Sequence, residues 1–268
     1  MKNKNKLGIL LICLVMGMAG NANAADWLKN PGFNNPTAAF DTGIKSNQDY
    51  KSAPSGWAWG LHGYTWGGTG TTIKECGFTS SGGSDYKLKM YGKDDSGKYA
   101  VVTLIQGWVW GGSPPASWNR PVPLAVYGKT SIPLTLVVKQ NGGNFNVPTG
   151  KSSLRNGIIN VWMKDESTGR ILMMDLYFGQ WGSNKGKGTW VGSDGIVHYA
   201  NTIASVSNNK WTTVNTNLAT QIDNAIRAAS AKGVGYNKKY LKIYQVEALH
   251  EFQYSWGDMW IKSFSMTY

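Results

Sequence analysis

From Tyr86 onward the chain is a succession of short runs rich in β-branched and aromatic residues, each closed by Gly, Asn, Asp or Pro. The runs are Tyr86–Tyr91, Tyr99–Trp110, Ile132–Val138 and Ile158–Lys164, continued by Arg170–Gly179 and Gly188–Ala200. Such side chains pack well on a pleated surface and the punctuating residues supply turns, so the pattern predicts strands joined by tight connections. Two more strands, Tyr240–Phe252 and Asp258–Thr267, close the chain and read as a hairpin about a turn near Ser255-Trp256-Gly257. One segment alone has helical spacing. Leu218, Ile222, Ile226 and Ala229 recur between a cap at Asn215 or Asn217 and a stop at Gly233, which predicts a helix from about Asn217 to Lys232. Many short strands, one late helix and no repeat predict a single all-β domain, a β-sandwich of the jelly-roll type. The stretch from Ala25 to about Ser84 is turn-rich, with Asn30-Pro31-Gly32, Asn34-Asn35-Pro36 and Trp66-Gly67-Gly68. It reads as short strands, either edge strands of the sandwich or a lid over one end of a groove.

The first residues have a different character. Lys2, Lys4 and Lys6 precede an uncharged apolar run, Leu7–Ala19, and Ala22-Asn23-Ala24 offers a small-x-small cleavage pattern. Residues 1–24 are therefore expected to be a signal peptide, and 25–268 one exported domain, extracellular or periplasmic. No later stretch approaches the roughly 20 apolar residues of a membrane helix, so no membrane partner is expected after cleavage.

The net charge is +12, with 27 Lys and Arg against 15 Asp and Glu. The basic residues are scattered rather than clustered, which argues against a nucleic-acid groove and for plain solubility. Cys13 leaves with the leader and Cys76 stays alone, so packing must supply the stability. His62, His198 and His250 lack metal-ligand spacing, and neither a phosphate-binding loop nor a nucleophile elbow occurs. Cofactor, metal and nucleotide chemistry are not expected, and the expected state is a monomer.

The 13 Trp, 13 Tyr and 34 Gly stand out. A tryptophan is a flat apolar plate with one polar handle, suited to the C–H face of a sugar ring, so several are expected in a groove. Strand alternation puts Leu241, Ile243, Gln245, Glu247, Leu249 and Glu251 on one face of Tyr240–Phe252. It also puts Asp175 beside Met173 and Tyr177, with Trp181 soon after. Paired carboxyl groups are what glycoside hydrolysis requires. From spacing alone, a plain solvated strand face accounts for these acids more simply.

Four stretches change that balance. Tyr91-Gly92-Lys93-Asp94 with Trp108-Val109-Trp110-Gly111-Gly112, then Ala125-Val126-Tyr127-Gly128-Lys129 with Ile132-Pro133-Leu134, stand in order along the chain. Asn160-Val161-Trp162-Met163 with Met173–Gly182, and Tyr244-Gln245 through Phe264, follow them. Together they resemble glycoside hydrolase family 12, the concanavalin-like β-jelly-roll endoglucanases and xyloglucanases, over about 180 residues. The resemblance implies a β-glucan-like polysaccharide as substrate and the acid/base role for Glu251. It places Met173 where the family has its nucleophilic glutamate, so Asp175 is expected to take that role or to stabilise charge, with Glu247 as the alternative second acid. Trp110, Tyr177, Trp181 and Trp256, with Met173, are the expected substrate contacts. The replaced nucleophile leaves two other readings open: a groove on the same fold that binds glycan without cutting it, and an adhesion or toxin factor acting through its basic surface.

Overall fold

The computed structural model describes residues 25–29, 33, 40–44, 49–52, 59–66, 76–80, 88–95, 99–110, 121–182 and 187–268. The expected leader, 1–24, lies outside them, as do the turns at 30–32 and 34–36. Two sheets stack face to face, their strands numbered in chain order. The smaller runs β1 (Phe40–Ile44), β4 (Cys76–Ser80), β5 (Leu88–Asp94), β15 (Ser255–Met266), β8 (Pro133–Asn144), β13 (Thr212–Asn217). The larger runs β11 (Gly188–Val191), β12 (Val197–Thr202), β10 (Ile171–Gly182), β9 (Leu154–Asp165), β14 (Leu241–Gln253), β6 (Tyr99–Gly107), β3 (Gly60–Trp66), β2 (Asp49–Ser52), with the short β7 (Leu124–Ala125) paired to β14. This is the predicted all-β jelly-roll sandwich with, among the described residues, one helix, α1 (Leu218–Ser230).

The core lies between the sheets. Leu134, Leu136 and Val138 of β8, with Met259, Ile261 and Phe264 of β15, meet Val161 and Met163 of β9, Leu172, Met174, Leu176 and Phe178 of β10, and Val246, Ala248 and Phe252 of β14. Each of these side chains larger than alanine contributes roughly 1.5–3 kcal/mol on burial. β8 alternates buried and half-buried positions, as a strand with one wet face should. β9 does not: its first eight residues are all buried. Its outer face is therefore covered, and what covers it is the wall of a cleft.

α1 is capped by Asn217, whose side chain accepts from the Ala219 amide at 3.1 Å and from the Ile132 amide at 2.9 Å. Gly233, with φ of +78°, turns the chain away after the last helical turn. The buried stripe is Leu218, Ala219, Ile222, Ala225 and Ala229. Ile226, expected on it, packs at its margin, half-buried against the core.

Three expectations are corrected. The last two strands are not a hairpin: β14 pairs with β9 and β6 in one sheet, β15 with β5 and β8 in the other. The chain turns a corner at Tyr254, whose φ of +48° swings it from sheet to sheet. Leu241 and Ile243 do not share a face with Glu247. A bulge between Ile243 and Gln245 flips the alternation, sending them into the core and Gln245, Glu247, Leu249 and Glu251 outward. Gly188–Ala200 is two strands, split by a turn from Gly192 to Gly195, and β13 was not foreseen. Within 25–84, where the sequence leaves edge strands and a lid both open, the described residues form strands, β1 and β4 in one sheet and β2 and β3 in the other.

Gly107 ends β6 opposite the bulge with φ of +90°, and a Cβ there would run into the Tyr244 carbonyl oxygen. Gly107→Ala is expected to cost well over 1 kcal/mol, read as a lowered denaturant midpoint with an unchanged slope. A midpoint equal to wild type would contradict this backbone placement.

Candidate active site

The outer face of the larger sheet floors a cleft of about 750 Å³. Its side chains come in rungs, because in-register neighbours on adjacent strands point the same way. One rung reads Asp175 on β10, Asn160 on β9, Glu247 on β14 and Ile105 on β6. The next reads Tyr177, Ile158, Leu249, Thr103 and His62. Beyond it come Asn156, Glu251, Val101 and Tyr64. On the other side of Asp175 stand His198, Met173, Trp162 and Gln245.

Aromatic rings form much of the wall. Trp108 and Trp110 follow the end of β6, and Trp110, 41 % exposed, meets Trp162 edge-on at 5.2 Å. Opposite them Trp190 of β11, 45 % exposed, lies flat on His198 at 4.8 Å. The turn at 192–196 completes that wall.

Three carboxyl groups share the floor. Glu247 is buried; its Oε2 accepts from Thr103 Oγ1 at 3.1 Å, and its Oε1 accepts from Gln245 Nε2. Burial outweighs these hydrogen bonds and, with the charge of Asp175, pushes its pKa up to about 7. Glu251 accepts from Asn156 Nδ2 at 2.9 Å and is likewise pushed to about 7, by burial first and Asp175 second. Asp175 is also raised by burial, against which His198, its Nδ1 3.5 Å from Oδ2, works in the opposite sense. Burial and these three acids raise the Tyr64 hydroxyl well above its usual value, so it stays a donor.

A carboxyl group titrating near neutrality can hand over a proton in one step and take it back in another. It also makes stability depend on pH. The folded state keeps the protons of Glu247 and Glu251 up to about 7, whereas the unfolded chain releases them near 4.5. Their contribution is fully present below the unfolded value and is lost as pH rises through the folded one. Thermal midpoints are expected to fall between about pH 4.5 and 7 on their account, and Glu247→Gln should flatten that fall. A profile unchanged in the variant would remove Glu247 from the account.

The rungs also set spacing. Asp175 and Glu247 lie two strands apart on one rung, about 10 Å between Cα atoms, with Asn160 between them. Glu251 lies four residues further along β14, about 13–14 Å away. The register thus brings Asp175 and Glu247 together more closely than Asp175 and Glu251.

Among the expected contacts, Trp110, Tyr177 and Met173 line the cleft, with Met173 facing Trp162 across the strands. Trp256 does not: it is on β15, in the other sheet, on the outward alternation and 40 % exposed. Phe252 points into the core. Trp181 has its backbone in β10 opposite Arg155, and its side chain lies outside those described. Sequence reasoning missed Asn160 and Trp162, although their period-two spacing on a predicted strand put them on one face. It missed His198 and Trp190 because the Gly192-Ser193-Asp194-Gly195 turn was read through as strand. Among the described residues, no group of three His, Cys, Asp or Glu side chains is placed to hold a metal ion.

Fold and cleft together define a jelly-roll sandwich with an aromatic-walled, carboxyl-floored groove. No protein-family model and no curated protein matches the chain. Solved structures do. The family 12 xyloglucanase from Bacillus licheniformis is similar over 86 % of this chain and 99 % of its own, with 12 % identity and a TM-score of 0.51. The endoglucanase cel12A from Rhodothermus marinus is similar over 86 % and 98 %, with 15 % identity and a TM-score of 0.47. The family 11 xylanase from Neocallimastix patriciarum is similar over 85 % and 99 %, with 9 % identity and a TM-score of 0.48. The first of these carries the statement that this chain has the jelly-roll fold, and at such identity the likeness is one of fold.

Proposed function

We propose that the protein is a secreted glycoside hydrolase that cuts a β-glucan-like polysaccharide in this cleft with two carboxyl groups. One observation carries the reading: Glu247 and Glu251, both pushed up by burial, share the floor of an aromatic-walled groove with a third carboxyl group, Asp175. The protonated member gives its proton to the leaving oxygen, and Asp175 supplies the negative charge that the oxocarbenium-like transition state needs. Glu247, on the rung of Asp175, and Glu251, favoured by the family 12 resemblance, are the two candidates for the acid. Trp110 and Trp190 offer ring faces at the two walls.

A second reading, a groove that holds glycan without cutting it, draws on two observations. Met173 stands where the resemblance expects the nucleophile, and both oxygens of Glu247 already accept hydrogen bonds. Incubation of the mature protein with β-glucans, xylans and mannans, scoring new reducing ends and bound polymer together, separates the two. New reducing ends are expected; binding without them establishes the second reading, and neither signal defeats both. Export has its own check. Protein recovered outside the cytoplasm is expected to begin at or near Ala25, and an intact Met1 would contradict the leader.

A further inference from the structure

The cleft and the chain differ in the titratable residues they carry. The whole sequence has 27 Lys and Arg against 15 Asp and Glu. Yet the residues lining the cleft include Asp175, Asp194, Glu247 and Glu251 and, among the described residues, not one Lys or Arg. Among the described residues, the histidines His62 and His198 also line it, and His198 faces Asp175. Asp194 stands exposed at the lip, its Oδ1 accepting from the Ile196 amide at 3.0 Å. In the floor Asn160 adds a buried amide oxygen with no hydrogen-bond partner.

A buried carboxylate without a cation pays its desolvation in full, and a ligand that brings a cation relieves the cost. An ammonium group suits such a floor, being three donors with no acceptor. A uronic acid in the same place would meet like charge, which costs affinity. The rings of Trp110 and Trp190 ask in addition for an apolar face beside that charge. Resting on the glycan reading above, we propose that the cleft selects a cationic polysaccharide: a β-glucan-like chain of glucosamine type whose amines are free and protonated. The excess positive charge elsewhere works against loose adsorption of such a polymer, so its binding has to come from the acidic cleft.

The test compares four oligosaccharides of equal length in a neutral buffer, where Glu247 and Glu251 begin to ionise and free glucosamine amines are still partly protonated, by calorimetric binding to the mature protein: a glucosamine oligomer, its N-acetylated form, a cello-oligosaccharide and an oligouronide. The glucosamine oligomer is expected to bind about tenfold or more tightly than the other three, since a hydrogen bond to a charged partner is worth about that factor. Added salt should shrink the advantage, and Glu251→Gln, which keeps a partner for Asn156, should narrow it further. Cello-oligosaccharide bound or cut as well as the glucosamine chain overturns the inference and leaves the hydrolase reading standing. Preference for the oligouronide overturns it too, as does an advantage that Glu251→Gln leaves untouched. If none of the four binds, the glycan reading falls with it.

Discussion

Glu251→Gln is expected to lower the release of reducing ends from glycan by about 10²–10⁴-fold, the usual worth of a positioned general acid. Glutamine keeps the shape of the side chain and a partner for Asn156 Nδ2, so the loss is one of proton supply and not of folding. Above neutrality the variant should melt at or above the wild-type temperature, because it no longer buries a group whose ionisation the cleft opposes. Glu247→Gln serves as the paired experiment. Whichever substitution is the more damaging identifies the acid, and equal small losses in both would defeat the two-carboxyl mechanism. Asp175→Asn is expected to be at least as severe, since it removes the negative charge that the transition state needs while leaving the proposed acids in place. Met173→Glu is the complementary change. Should the native protein bind without cutting, activity created by Met173→Glu identifies a hydrolase groove that has lost its nucleophile.

Ile222→Asp should cost about 4 kcal/mol or more, read from denaturant unfolding. Ile222 is fully buried in α1, among Leu218, Ala219, Ala225 and Ala229, and α1 packs against β11, β12 and β13. An aspartate there loses the transfer energy of the isoleucine side chain and leaves a buried carboxyl without a partner. Domains of ordinary stability hold about 5–15 kcal/mol, so the variant is expected to be partly unfolded at warm temperatures. Since β11 and β12 bear Trp190 and His198, glycan binding should weaken with it. A variant with the wild-type midpoint would mean that the helix is not packed in this way.

Strand content, helix position and the jelly-roll class were legible in the sequence because they rest on local periodicity. Alternation along β8 and the spacing of Leu218, Ile222 and Ala229 each record which side chains face the interior, over distances of a few residues. The acids Asp175, Glu247 and Glu251 were legible for the same reason, as carboxyl groups at matching positions on strands. So was an asparagine cap on α1, with Asn215 and Asn217 both open; Asn217 is the one whose side chain binds the Ala219 amide two residues on.

What the sequence could not determine were relations between distant segments. Whether β14 and β15 pair or part at Tyr254 depends on which strands compete for their edges, and both outcomes satisfy the same alternation. One extra residue at the bulge beside Tyr244 decides that Glu247 faces the cleft while Ile243 faces the core; period-two reading has no way to see such an insertion. Composition alone made Trp256 and Trp110 equivalent, and tertiary structure sent one to the back of the second sheet and the other to the cleft wall. Local pattern thus determined that this chain makes strands, with acids on some of their faces. Burial and register, set by the pairing of β9 with β10 on one side and β14 on the other, decided which acids stand together and pushed two carboxyl groups to about 7. A desolvation penalty belongs to a place in the fold and not to a residue in a list.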